Sequence, residues 1–457
     1  MYIFIINNVL EVAMGRYKII KEVIKNQSNI EKKNEISELE FRKYRENNIK
    51  LDDKLFIPIK KNERLVYDVN NFNYYDRLVF QYHKKLLDEI FKIKYPDRNT
   101  IIDELLNIVP FLEDYQHAII YKFDFKNFFP SLSVKSVIDK LDVHPQLMVQ
   151  EFEFIKNNFN DKVLYPGLGI VNSFSEIIAT EFDRRIRAHY KENLIYYSRY
   201  VDDAILILDQ PFEEKDVKKV ILEFAKKNIS ESIEFNDSKS RYFNIKEMAK
   251  NKDEIHIDFL GYKFTITDQR FKLGIAKSKL NKEKLKLQKI FEDFNNVNNF
   301  NLLKLRLDTY YKRITYYGPY HGKNEYTWQV RGISTTYGKL RPYVSFSNSH
   351  KSSKIDKETL DFLTGTSLKP ISGKALEDCD IQTRRKVTNM LENHIKNSHY
   401  INLFVKNKAV LLNKDIGYTY NHLEKILSNT KVIESKANNL SYDELVQKYF
   451  ETIFISL

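Results

Sequence analysis

The residues richest in chemistry are acidic, and they lie where acidic residues are expensive. Tyr200-Val201-Asp202-Asp203 sets two adjacent carboxylates between the apolar runs NLIYYSR and AILIL. Like charges held side by side repel, and a divalent cation relieves the repulsion. Asp124 lies in FDFKNFF, an aromatic run where an unpaired carboxylate is costly to bury. The plain explanations are a buried ion pair of Asp124 with Lys126 or an arginine, and an exposed turn at Asp202 and Asp203. The chemical explanation is that the three carboxylates meet across adjacent strands. Three oxygen donors with few other ligands suit Mg²⁺, which keeps room for substrate phosphates. Two such ions can activate an attacking 3′-hydroxyl and stabilise a leaving pyrophosphate.

These residues need strands to hold them. HAIIYKFDFKNFF (117–129) reads as a buried strand ended at Pro130 and Ser131. Residues 194–208 read as two strands around the polar pair, and 233–245 with 255–267 as a further strand pair. Between them, 172–190 predicts a helix. Ser173 and Glu176 match a capping box, and Phe174, Ile178, Phe182 and Ile186 recur on one face. Residues 212–228 predict another helix. The order strand, helix, strand–turn–strand, helix, strand describes a small sheet with helices on one side, an α+β fold. Upstream, 15–50 is helical in pattern, 51–70 reads as strands around a turn, and 74–110 carries helical periodicity.

The whole chain has 457 residues, with 74 Lys and Arg against 62 Asp and Glu, a net charge of +12. That excess points to a polyanionic partner, nucleic acid before membrane. The single Cys379 excludes a disulfide framework and a Cys-based zinc site, and fits a reducing compartment. No apolar run approaches the ~18 residues of a membrane span. The apolar opening, residues 1–14, lacks a basic region and a cleavage site, and Met14 is an alternative start. The expected location is the cytoplasm. From 271 to 313 the chain carries 11 basic and 4 acidic residues in a helical pattern. Residues 345–354 read as a polar linker, and the remaining hundred or so as helices, with a capping box at Ser441 and Glu444.

Taken in order, five segments resemble the palm of a reverse transcriptase. FDFKNFFPSL (123–132) resembles the first catalytic motif, YPGLGIVNSFSEIIATEFD (165–183) the second and YVDD (200–203) the third. IEFNDSKSRYF (233–243) resembles the fourth and FLGY (259–262) the fifth, the primer-grip hairpin. The nearest likeness is to bacterial reverse transcriptases of the antiphage-defence and abortive-infection kind. The resemblance implies a right-hand polymerase with an N-terminal helical extension (1–50), fingers (51–115 with part of 140–165), palm (116–270), thumb (271–345) and a helical C-terminal domain (355–457). It implies RNA-directed DNA synthesis from dNTPs with two Mg²⁺ ions, Mn²⁺ being a substitute.

The same resemblance assigns roles. Asp124, Asp202 and Asp203 would hold the metals with the backbone carbonyl of Phe125. Lys239 would reach the leaving pyrophosphate. Phe129 would exclude a ribose 2′-hydroxyl. Lys60, Lys61 and Arg64 would hold the triphosphate, with Gly167 and Ile170 beside the nucleotide. Tyr200 would lie under the primer terminus, supported by Phe259, Leu260, Gly261 and Tyr262. The basic helices after 275 would follow the duplex backbone. Trp328 and Tyr310 to Tyr320 are expected mainly in the core, with base stacking as the alternative. The partners implied are an RNA template, including a dedicated non-coding RNA, a DNA product, and a second copy or second polymerase subunit.

One departure bears on mechanism. Where the family runs Gly-Leu-Pro-x-Gly, this chain has Gly167-Leu168-Gly169-Ile170-Val171. A Val where backbone should approach a nucleotide fits a restricted template, an unusual register or synthesis with little template use. Separately, the abundance of Tyr leaves a tyrosyl hydroxyl open as primer, though no one Tyr stands out. A catalytically silent RNA-binding scaffold is the rival outside enzymes, and an RNA-dependent RNA polymerase the rival within polymerases.

Overall fold

The apolar strands at 119–124 and 203–208 lie side by side inside one sheet, as their burial requires. The structure is a computed structural model describing residues 2–25, 37–61, 63–115, 117–251, 254–267, 270–319, 326–347, 354–433 and 440–453. It is mixed α and β. The chain divides into two units, Met1–Glu104 with Asp114–Lys250, and Leu105–Glu113 with Asn251–Leu457.

In the first unit, β1 (Pro58–Lys61) and β2 (Arg64–Tyr67) form an exposed antiparallel hairpin with Lys61 opposite Arg64. The apolar strand β3 (Ile119–Asp124) lies inside an antiparallel sheet of order β4-β5-β3-β6, where both of its faces are covered. Its neighbours are β5 (Asp203–Leu208) and β6 (Arg241–Asn244), and β4 (Leu194–Tyr200) forms the far edge. The principal helices are α1 (Tyr2–Lys25), α2 (Glu38–Asn47), α3 (Tyr74–Ile90), α4 (Val134–Asp142), α5 (Val149–Phe159), α6 (Gly169–His189) and α7 (Glu214–Asn228). Phe174, Ile178, Phe182 and Ile186 of α6 are fully buried and share one core with Phe123, Phe125 and Leu206. Burying each such side chain contributes ~1.5–3 kcal/mol.

Three expectations for this unit need correction. Strand β3 stops at Asp124, and Pro130 sits in a short helical turn, Phe128–Ser131. Helix α6 starts at Gly169, so Ser173 lies inside the helix and caps nothing. Its start is set by packing: Tyr67 N–H donates to the Pro166 carbonyl at 2.8 Å. Gly167 then turns with φ 126°, and a Cβ there would lie 2.3 Å from the Tyr67 carbonyl oxygen. Finally, 233–245 and 255–267 do not pair with each other. Only 241–244 forms a strand of the first unit, while 255–267 is a hairpin of the second.

In the second unit, β7 (Ile255–Phe259), β8 (Tyr262–Thr267) and β9 (Arg270–Ile275) form an antiparallel meander. Strand β10 (Arg313–Pro319) lies between β11 (Tyr326–Arg331), antiparallel, and β12 (Ala409–Leu412), parallel. The principal helices are α8 (Lys277–Val297), α9 (Phe300–Tyr310), α10 (Ile381–Lys396), α11 (His399–Val405), α12 (Tyr420–Asn429) and α13 (Tyr442–Ile453). The tail is therefore not purely helical. Val410 and Leu412 of β12 bury with Ile314 and Tyr316 of β10, a long-range pairing no local pattern announces. Nor is the basic segment helical from its start, since 271–275 belongs to β9. The predicted linker is also shorter: 345–347 close a helix, Arg341–Ser347, and 348–353 lie outside the described residues. The Ser441–Glu444 capping box is present, with Glu444 N–H donating to Ser441 Oγ at 3.3 Å. Among the described residues no helix is long and apolar enough to cross a membrane.

Candidate active site

Strand register brings the three carboxylates together. Asp124 faces Asp203 across β3 and β5, and Tyr200 faces Asp203 across β4 and β5. Val201 and Asp202 form the two-residue turn between. Asp124, Asp202 and Asp203 each offer an oxygen within 4.8 Å of the others. Asp124 is 2% exposed. Burial first, then the charges of Asp124 and Asp203, pushes the Asp202 carboxyl up. Asp203 is likewise pushed up by burial, opposed by Lys122 and reinforced by Asp124.

Two lysines partly neutralise the cluster. Lys239 Nζ donates to Asp124 Oδ2 at 3.0 Å, and Lys122 Nζ lies 3.7 Å from Asp203 Oδ1. The ion pair of Asp124 is therefore with Lys239 and not with Lys126, which lies 3.9 Å from Glu234. Three carboxylates and two ammonium groups leave one formal negative charge. A crowded, acidic, all-oxygen donor set with raised carboxyl values fits a hard divalent cation. Phe125 is buried and bridges to Phe235, where the hydrogen bonds run from Lys126 N–H to the Glu234 carbonyl and from Asn236 N–H to the Asp124 carbonyl. The Phe125 carbonyl takes no part in that bridge.

The turn itself is under strain. Val201 has φ 61°, a left-handed conformation that is an outlier for a β-branched residue. Two-residue hairpins prefer turns with φ > 0, and Gly normally occupies such a place. Arg199, two residues earlier and 5% exposed, holds the turn. Its Nη1 donates to the Val201 carbonyl at 2.9 Å. Its Nη2 donates to Glu176 Oε2 at 2.7 Å and to Asp183 Oδ2 at 3.0 Å, both on α6. Tyr197 OH adds a bond to Asp183 Oδ1 at 2.6 Å.

Sequence reasoning missed Arg199, Glu176, Asp183 and Lys122. The signal was present. Tyr197 and Arg199 share one face of β4, and an arginine on a buried face needs an acid. Glu176 and Asp183 are seven residues apart, two turns, and so share a helix face.

The other expected site residues fall as follows. Phe129 is half-buried and packs edge-on against Phe128, with ring centroids 5.7 Å apart. Lys60, Lys61 and Arg64 are exposed on the β1–β2 hairpin. Ile170 and Val171 are fully buried, so the bulk of Val171 fills the core. The Lys84 side chain lies over Gly169. Tyr200 is half-buried. The hairpin Phe259, Leu260, Gly261 and Tyr262 belongs to the second unit. Leu260 and Gly261 turn with φ 47° and 85°, and Phe259 and Tyr262 are buried. Tyr311 is buried and Tyr310 half-buried, and Tyr320 lies outside the described residues. Trp328, by contrast, is 48% exposed and sits opposite Tyr317, itself 51% exposed.

No protein-family model and no curated protein matches the chain. Among solved structures it is similar to telomerase from Candida albicans in complex with the TWJ fragment of telomeric RNA, with TM-score 0.33 and 13% identity, covering 79% of this chain and 55% of that one. It is similar also to apo telomerase from Candida tropicalis, with TM-score 0.33 and 13% identity, covering 82% and 59%. The chain thus spans little more than half the length of those telomerase chains.

Proposed function

We propose that this chain is an RNA-directed DNA polymerase that joins dNTPs by two-metal nucleotidyl transfer. The observation that carries the reading is the meeting of Asp124, Asp202 and Asp203 on paired strands of one antiparallel sheet. The five ordered motifs support it, and so does the basic balance of the chain. The resemblance to defence-associated bacterial enzymes extends the reading to antiphage defence, with the right-hand divisions of fingers, palm and thumb given above.

Asp124, Asp202 and Asp203, with the Phe125 carbonyl, are the residues to hold two Mg²⁺ ions, or Mn²⁺ in their place. Bound there, the ions would acidify the primer 3′-hydroxyl and stabilise charge on the leaving pyrophosphate. Lys239, already beside Asp124, supplies a cation or a proton to that pyrophosphate. Phe129 excludes the 2′-hydroxyl, and Lys60, Lys61 and Arg64 attract the triphosphate. Arg199 fixes the turn that aims Asp202.

The test is primer extension on a defined RNA template with dNTPs and Mg²⁺. The expected product is DNA complementary to the template, made poorly from NTPs and with NTP use rising about tenfold or more in Phe129→Ala. A product whose sequence ignores the template would replace this reading with template-independent synthesis. No incorporation of any nucleotide, with RNA binding intact, would replace it with a scaffold.

A further inference from the structure

Away from the carboxylate cluster, three helices of the second unit converge on a different donor set. Asp308 lies in the last turn of α9, His394 in the last turn of α10, and His399 opens α11. One ligand atom from each lies within 4.8 Å of the others. His399 Nε2 is 2.8 Å from Asp308 Oδ1. The two imidazole rings lie 4.4 Å apart between centroids, tilted by 33°.

The surroundings orient these donors. His394 Nδ1 is 3.0 Å from the hydroxyl of Tyr400, a fully buried residue packed on Tyr311. With Nδ1–H given to that hydroxyl, the lone pair of His394 Nε2 is left for the cluster. An imidazole whose second nitrogen is held by a polar partner is the usual arrangement of a metal-ligating histidine. Asp308 also sits at the negative end of the α9 dipole, where a carboxylate is disfavoured and a facing cation compensates. A bare His399–Asp308 hydrogen bond accounts for two of the three residues. It leaves unexplained why a second imidazole is held against the first.

We propose that Asp308, His394 and His399 form a second metal site, for Zn²⁺, distinct in position and chemistry from the carboxylate cluster. Two imidazoles and one carboxylate suit a borderline transition ion better than Mg²⁺. Ligands ~2.0–2.2 Å from one ion stand roughly 3–3.5 Å apart in a tetrahedron. The 2.8 Å contact therefore opens by a few tenths of an ångström, and the other pairs, all within 4.8 Å, close to that spacing. The side chains of His399 and Asp308 are 34% and 19% exposed, which leaves them room to move and leaves a fourth position for water. Bound metal ties together α9, α10 and α11. Lacking a thiolate, the site is invisible to cysteine spacing.

The experiment uses the full chain, stripped with chelator and dialysed into millimolar Mg²⁺ to fill the carboxylate cluster. Zn²⁺ is then titrated in by calorimetry, and Co²⁺ serves as a spectroscopic probe. The expected result is one Zn²⁺ per chain at micromolar or tighter affinity, with the thermal transition raised by several degrees. His399→Asn and His394→Gln should each weaken binding at least a hundredfold, while Asp202→Asn leaves it unchanged. Co²⁺ should show the intense visible bands of a four-coordinate nitrogen-containing site, a readout from the unmutated protein that needs no variant to fold. The proposal is overturned if no Zn²⁺ binds in Mg²⁺ buffer, if the histidine variants bind as the wild type does, or if Asp202→Asn alone abolishes binding.

Discussion

Arg199 Nη1 donates to the carbonyl of Val201 at 2.9 Å, so one buried guanidinium clamps the strained residue that precedes Asp202. The same group is forked between Glu176 and Asp183 on α6. Position at the turn is thereby linked to the core helix.

That link predicts two opposite outcomes. Arg199→Lys keeps the charge but loses the planar fork. It should lower stability by about 2 kcal/mol or more, because buried carboxylates lose partners. It should slow incorporation more than tenfold with KM for dNTP little changed, as a positioning residue would. Val201→Gly removes strain of ~1–3 kcal/mol, less the greater freedom of Gly in the unfolded chain. It should stabilise by about 1 kcal/mol while slowing the reaction, since Asp202 is no longer held. Denaturant melts and single-turnover rates on both variants check this.

The raised carboxyl values make a prediction in pH. A carboxyl whose folded value is raised binds its proton more tightly folded than unfolded. Its contribution is most favourable below the unfolded value, near ~4, and is lost as pH rises through the folded value. Asp202 is raised by burial and by its acidic neighbours. In chelator, Asp202→Asn should therefore melt a few degrees above wild type at pH 7, and the gap should close toward pH 4. Mg²⁺ should raise the wild-type transition more than that of the variant. Paired thermal melts across pH read this directly.

How much of this was legible beforehand depends on the range of the cause. The β1–β2 hairpin, the buried run at 119–124, the apolar face of α6 and the Ser441 cap follow from neighbouring residues, and they were readable. The start of α6 was not, because it is fixed by Tyr67, a hundred residues away. Ser173 consequently looks like a cap and instead donates to Asp88 at 2.7 Å. Strand β12 exists because β10 offers it an edge, and its four residues carry no helical break that stands out. The carboxylates were legible as types and spacing. Lys239 was named from its motif, but its pairing with Asp124, and that of Lys122 with Asp203, were not legible, since a charge shows no partner until register is known.

Buried His83 gives an acid-side prediction. It stacks on Phe154 at 4.2 Å, and burial pushes its imidazole down to about 4. A folded value below the ordinary ~6.5 means that the unfolded chain takes the proton first. Stability is then full above ~6.5 and falls as pH drops toward 4, by on the order of 3 kcal/mol over that window. His83→Gln should flatten the fall between those two values in urea titrations. An unchanged slope would place the acid sensitivity elsewhere.

The most direct measurement is single-turnover incorporation of one dNTP by Asp124→Asn, Asp202→Asn and the double variant, each checked for a native thermal transition. If the two carboxylates act as one unit, each single change lowers the rate about a thousandfold or more, and the double change lowers it little further. Retention of near-wild-type rate by either single variant, or multiplication of two modest losses in the double, would contradict the account.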